Sequence, residues 1–234
     1  MTLWRIPIRE YRQRLGADLQ RMLMVQHDTR QDDLVDQVVP LRDIVEIHRI
    51  TPLKHEFVWR LLQRVSTTDN QFPFASCSKM DMNLVSMDPR LLKVGQRFVY
   101  REKYTSLLEH VPVLFRGHWL AKGGIHTLGA YSIVGEDKEG ETSLAFYLPP
   151  IIERHGHDFV LMDGIHRNFI CHQHGTTTSA LIVNNVSVPF PCEAMPWSST
   201  NVIPLTERPQ NVEDRFFGLT PAHMRNLKFL GIDG

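Results

Sequence analysis

The chain has 234 residues, 42% of them hydrophobic and 22% charged, a balance that supports a packed core and excludes disorder and fibrous repeats. Lysine plus arginine and aspartate plus glutamate number 26 each, so the broad positive field that draws a protein onto nucleic acid is absent and only a local basic patch could replace it. Three widely spaced cysteines, Cys77, Cys171 and Cys192, do not make a disulfide framework.

Charges at Arg5, Arg9, Glu10, Arg12, Arg14 and Asp18 break any apolar leader, and no run approaches the ~18 apolar residues of a membrane span. The expectation is a cytoplasmic protein with reduced thiols and no membrane insertion.

Residues 17–27 have a helical pattern, while 38–50 mix β-branched residues with charges and suit either strand or helix. Residues 51–65 carry the clearest helix grammar: Thr51 as cap, Pro52 at the first helical position, and Leu53, Phe57, Leu61, Leu62 and Val65 on one face. Prolines 73, 89 and 112 interrupt the next stretch, where 101–110 suits a short helix and 111–115 a strand. Residues 1–128 are therefore expected to form a helix-rich N-terminal region packed on a core of residues 129–234.

Within that core, residues 130–134 and 143–148 flank a charged turn at 136–141 and predict a hairpin. Ile151-Ile152, a His155-Gly156-His157 turn, the apolar run 159–162, a helix to His174 closed by Gly175, and the apolar run 180–183 follow. These predict strands on both sides of a helix. Near the end, Thr220-Pro221 with Met224, Leu227 and Leu230 on one face and Gly231 as stop predicts a terminal helix.

The densest chemistry lies in Asp163-Gly164-Ile165-His166-Arg167. A strand entering a helix at this point would present free backbone N–H groups, an imidazole and a guanidinium together, a ready site for phosphate. Gly164 would let the backbone approach an anion, or simply make a tight turn. Arg167 offers a planar fork of donors to phosphate oxygens or to a structural carboxylate. His166 suits phosphate donation or proton shuttling as well as a core position. Asp163 suits a helix cap or a contact with metal or substrate.

These residues, with the preceding Pro149-Pro150-Ile151-Ile152, the run 158–162 and the helix-closing Gly175, resemble the ParB/sulfiredoxin-like superfamily. Its signature is a strand, an Asp-Gly-x-His-Arg or Gly-x-x-Arg turn, and a short helix ending in glycine. The resemblance covers residues 148–183, about a sixth of the chain. It implies an α+β fold whose Gly164, His166, Arg167 and Asn168 bind a nucleotide phosphate. Relatives include chromosome-partition proteins, sulfiredoxin, a free-serine kinase and ParB-like nucleases, so the fold alone does not choose the reaction.

Two departures narrow the choice. Ile165 occupies the place of the sulfiredoxin cysteine, and an alkyl group cannot attack a sulfinyl phosphate. Only about fifty residues follow the motif region, where the partition proteins carry a DNA-binding domain. Phosphoryl transfer or phosphodiester hydrolysis with Mg²⁺ would need a carboxylate besides Asp163, His166 and Arg167. Glu153 is the nearest candidate, with Asp81, Asp88 and Glu102 behind it. A zinc cluster of His155, His157, Cys171, His172 and His174 does not follow a known ligand spacing.

The function expected is thus binding of a nucleotide (ATP, ADP or CTP, with or without Mg²⁺) or a phosphorylated small molecule, with phosphoryl transfer or hydrolysis as the catalytic extension. A non-catalytic nucleotide-sensing or protein-interaction module and a ParB-like nuclease acting on nucleic acid are the alternatives.

Overall fold

The computed structural model describes residues 5–26, 35–76, 78, 81–114 and 129–231. In chain order the elements are β1 (Ile6–Pro7), α1 (Ile8–Gln26), β2 (Gln37–Val38), β3 (Ile44–Pro52), α2 (His55–Leu62), β4 (Met82–Met87), β5 (Leu92–Val94), β6 (Phe98–Tyr100), α3 (Arg101–Leu114), β7 (Tyr131–Asp137), β8 (Thr142–Tyr147), β9 (Ile151–His155), β10 (Asp158–Leu161), α4 (Ile165–His174), β11 (Thr178–Val183) and β12 (Asn201–Ile203). The fold is α+β. No helix among the described residues is long and apolar enough to cross a membrane.

The chain divides into two compact units, one of residues 1–65, 129–148 and 226–233, the other of 66–128, 149–225 and 234. The expected junction at 128/129 is one crossing between units, and each side of it contributes to both.

In the first unit the strand order is β1-β2-β8-β7-β3. The β7–β8 hairpin forms as expected, pairing Tyr131 with Tyr147 and Glu136 with Thr142. The stripe Tyr11, Leu15, Leu19 and Leu23 recurs every four residues along α1 and is buried, because residues four apart share one helix face. With Val38, Ile44, Ile133, Leu144 and Phe146 it makes a core in which each fully buried aliphatic side chain contributes about 1.5–3 kcal/mol. Tyr11 Oη donates to the Leu230 carbonyl at 3.1 Å. The helix bends at Gly16, whose φ of 74° leaves the α-region, and the Arg64 guanidinium lies where a side chain at 16 would stand.

The helix anticipated at Thr51-Pro52 starts later. Both residues pair with β7, Thr51 with Ser132 and Pro52 with Tyr131, and α2 begins at His55 behind Lys54. Proline is tolerated at a strand end as well as at a helix start, and pairing with β7 decided between them. The anticipated buried face of Leu53, Phe57, Leu61, Leu62 and Val65 stands.

The second unit carries the sheet β4-β11-β9-β10-β5. β9 and β10 are antiparallel, with Leu161 beside Ile152 and Val160 beside Glu153. β11 runs parallel to β9 and antiparallel to β4, and β5 runs parallel to β10. The helix α4 therefore joins two strands separated by β9. Ile152, Leu161, Ala180 and Ile182 of the sheet share a buried cluster with Ile165 of α4 and with Trp197, which identifies the face that the helix covers. Trp197 Nε1 is anchored on the Pro89 carbonyl at 2.8 Å.

Two further segments differ from expectation. Residues 111–114 continue α3 with Pro112 inside it, and Val111 and Leu114 are buried; three-residue spacing puts them on one helical face, which outweighs the β-branched preference for strand. The terminal helix at 220–231 is replaced by 3-10 turns at Pro221–His223 and Leu227–Leu230. Between them Met224 is extended and Arg225 pairs with Thr67.

Candidate functional site at the start of α4

β10 ends at Leu161, and the chain reaches α4 through Met162, Asp163 and Gly164. Gly164 is the N-cap residue, in the left-handed region at φ 85°, ψ 29°, a conformation that L-residues with a side chain adopt reluctantly. A Cβ there would lie 3.1 Å from Pro150 and 3.2 Å from Arg167 Nη2, so the guanidinium lies against the turn. The cap belongs to Gly164 rather than Asp163, and no side-chain hydrogen bond from the cap position satisfies the first turn. Asp163 instead faces Arg167 across 3.5 Å. At the other end Gly175, φ 63°, closes the helix by donating to the Cys171 and His172 carbonyls.

Asn168 is fully buried. Its Nδ2 donates to the Gly164 carbonyl at 3.0 Å, the same oxygen that receives the first backbone hydrogen bond of the helix. The side chain expected to reach a ligand therefore braces the glycine turn from inside.

His166 is 8% exposed and stacks on Tyr100 with ring centres 6.0 Å apart. Its Nε2 accepts from the Tyr100 backbone N–H at 3.2 Å. Burial, reinforced by the positive charges of Lys103 and Arg167, pushes its pKa down to about 3, because a charged imidazole is poorly solvated there and repelled. The ring is neutral at physiological pH, and with Nε2 accepting, its proton stands on Nδ1. A neutral His166 can donate from Nδ1, and its lowered pKa does not suit a proton shuttle near neutrality.

The same ring stack gathers cations from distant parts of the chain. The Lys103 ammonium lies 5.7 Å and the Arg208 guanidinium 5.6 Å from the Tyr100 ring centre. Tyr100, Lys103 and Arg208 were missed in the sequence: no spacing relates β6, α3 and the turn after residue 207 to the motif. Beyond them Tyr104, Phe169, Trp197 and His172 form a chain of ring contacts along α4.

Glu153 does not join this group. Ile152 points to the face that α4 covers, and successive strand residues point to opposite faces, which sends Glu153 to the other side of the sheet. There it is fully buried and holds Arg225 through two bonds, Nε to Oε1 at 3.0 Å and Nη2 to Oε2 at 2.8 Å, while His155 Nε2 lies 2.7 Å from Oε2. Arg225 also donates to the carbonyls of Pro189, Val188 and His223. The nearest candidate carboxylate of the sequence is thus a buried structural anchor that fixes the extended segment at 224–225.

The remaining candidate carboxylates are likewise used locally. Asp81 accepts from the Ser78 N–H and from Asn185. Asp88 clasps Arg90, whose hydrogen bonds hold its pKa down to about 2. Glu102 accepts from the Leu205 N–H at 2.7 Å. Among the described residues, the histidines and cysteine of the zinc reading do not converge as a ligand set. Burial raises the thiol of Cys171, and that of Cys192 to about 12, so neither is an activated nucleophile; Cys77 lies outside the described residues.

Comparison with known protein families, with curated proteins and with solved structures finds no match to this chain.

Proposed function

We propose that the second unit is a ParB/sulfiredoxin-like core that binds the phosphate groups of a nucleotide or phosphorylated small molecule at the start of α4. The observation that carries this reading is the gathering of Lys103 and Arg167 near a buried His166, with Lys103 and Arg208 beside the Tyr100 ring stacked on it, at a helix start whose cap residue is glycine. A helix N-terminus attracts anions through its free N–H groups and dipole. Arg167 adds a planar donor pair beside the turn, and the Nδ1–H of His166 donates without changing charge. Lys103 and Arg208, both beside the Tyr100 ring, add positive charge that would favour a di- or triphosphate over a single phosphate.

Binding is the core of the proposal, and Mg²⁺-dependent phosphoryl transfer or phosphodiester hydrolysis is its catalytic extension. Asp163 is the carboxylate of the motif, and its position against Arg167 suits a group that orients the guanidinium. Glu153 on the opposite face of the sheet supplies no base. This favours a nucleotide-sensing module over a hydrolase, while a nuclease role would need a continuous basic groove beyond these three cations.

The test is thermal stability and calorimetry of the full chain with ATP, ADP, CTP, GTP, pyrophosphate and inorganic phosphate, each with and without Mg²⁺. A ligand selective for the native state at 100 times its Kd stabilises by about 2.7 kcal/mol, a shift of several degrees. The shift is expected to vanish in Arg167→Ala and to weaken in Arg208→Ala, a half-buried residue. Absence of any shift in the wild type, or its persistence in both variants, would overturn the assignment.

A further inference from the structure

We propose that Glu102 is a positioning residue for the phosphate site, a role that rests on the phosphate reading of the α4 turn. By holding the Leu205 N–H it fixes the turn that carries Arg208, and so sets the preference for di- and triphosphates over a single phosphate.

β12 runs parallel to β6, with Asn201 beside Phe98 and Ile203 beside Tyr100. Pro204 follows at once, and with no N–H it cannot continue the ladder. The chain enters a 3-10 turn at Leu205–Glu207 and returns to the same place, the Arg208 guanidinium lying 5.6 Å from the Tyr100 ring centre. The strand before the turn and the cation after it thus close on one residue, whose ring stacks on His166 of α4.

Side chains hold this turn at both ends. Glu102, in the first turn of α3, accepts from the Leu205 N–H at 2.7 Å. Arg215 donates from Nε to the Pro209 carbonyl at 2.8 Å and from Nη2 to the Gln210 carbonyl at 2.6 Å. Hydrogen bonds from its own N–H and from the Leu205 N–H hold the Glu102 carboxyl below the usual carboxylate range, so the clamp is ionised at neutral pH and its bond is of the stronger, charge-assisted kind. Glu102 acts through the turn, since its own charge would repel a phosphate.

Arg208 contrasts with the residues that hold it. Its Nε is buried with no hydrogen-bond partner among the described residues. Buried donors are normally paired, and one left unmatched is costly. A surface turn fixed at both ends, yet carrying an unmatched guanidinium, is arranged for an incoming anion rather than for its own stability.

Calorimetric titration of the full chain with inorganic phosphate and with pyrophosphate gives the preference as a ratio of affinities. Glu102→Ala is expected to lower that ratio about fivefold or more, the loss of one charge-assisted contact from Arg208. Glu102→Gln keeps an acceptor oxygen and should hold the ratio within about twofold of wild type or above it. Arg208→Ala should match Glu102→Ala, and the double variant should fall no further, because both changes remove one effect. A ratio within about twofold of wild type in Glu102→Ala, an equal loss in Glu102→Gln, or losses that multiply in the double variant would overturn the proposal.

Amide hydrogen exchange of the ligand-free chain separates failure of the clamp from failure of the phosphate reading. Faster exchange at Leu205 in Glu102→Ala, restored in Glu102→Gln, supports the clamp, and unchanged exchange overturns it. A wild type with this exchange behaviour that binds neither anion overturns the phosphate reading and the selectivity built on it.

Discussion

Replacing Glu153 by glutamine separates a structural carboxylate from a catalytic one. The substitution keeps the shape of the side chain and removes the charge, leaving Arg225, 8% exposed, without its two charge-assisted bonds. Removing one partner of a buried ion pair typically costs about 3–5 kcal/mol. Three carbonyls still accept from the guanidinium and glutamine can return one hydrogen bond, so the lower end, about 3 kcal/mol, is expected. For a chain of this size that corresponds to roughly 6–12 °C in melting temperature. Urea denaturation followed by tryptophan fluorescence reads it, since Trp197 lies in the same unit as Glu153. Nucleotide affinity, measured well below the transition, should stay at the wild-type value. A variant within about 1 kcal/mol of wild type that has lost ligand binding would refute the reasoning, because Glu153 would then act at the α4 turn and not beneath the sheet.

Three shorter expectations accompany it. Gly164→Ala places a Cβ at φ 85° against Pro150 and Arg167; about 1–2 kcal/mol of stability and the phosphate response should be lost together, as chemical denaturation and ligand-induced thermal shifts will report. The folded pKa of His166, about 3, lies below its ordinary 6.5, so between these values the unfolded chain binds the extra proton; the contribution is full above pH 6.5 and is lost as pH falls toward 3. His166→Gln should therefore flatten the stability-versus-pH curve across pH 4–6.5, and an unchanged slope would contradict a buried neutral imidazole. Gly135→Ala, with 2.1 Å to the Glu46 carbonyl, should destabilise the first unit by about 2 kcal/mol or more, measured by denaturation; stability within about 0.5 kcal/mol of wild type would contradict the close approach of β3 to β7.

Much of the local structure was legible because it depends on neighbours in sequence. The hairpin of β7 and β8 announces itself by two β-rich runs around a charged turn, and α4 by an apolar strand before it and Gly175 after it. What was illegible depends on partners far along the chain. Thr51-Pro52 satisfies a helix start and a strand end equally, and pairing with Ser132 and Tyr131 chose the strand. The periodic Met224, Leu227 and Leu230 satisfy a helix, but Arg225 must reach Glu153, 72 residues earlier, and an extended Met224 is how the backbone delivers it. Leaving Glu153 buried without its partner would cost about 3–5 kcal/mol, more than a few tenths of a kcal/mol per residue of helix preference.

The candidate site divides along the same line. Gly164, His166 and Arg167 could be nominated because their types and spacing at a strand-to-helix turn carry a chemical meaning by themselves. The state of His166 could not, since an isolated histidine titrates near neutrality and only its enclosure by Tyr100, Lys103 and Arg167 removes the charge. That change alters the chemistry under discussion. A histidine that titrates would make ligand binding depend on pH and would suit acid–base catalysis, whereas a permanently neutral donor leaves charge recognition to Arg167, Lys103 and Arg208. Phosphate affinity should then follow the ionisation of the ligand and the salt concentration, with no inflection from the protein between pH 6 and 8. An inflection in that window that disappears in His166→Gln would place a titrating imidazole in the site and return the proton shuttle to consideration.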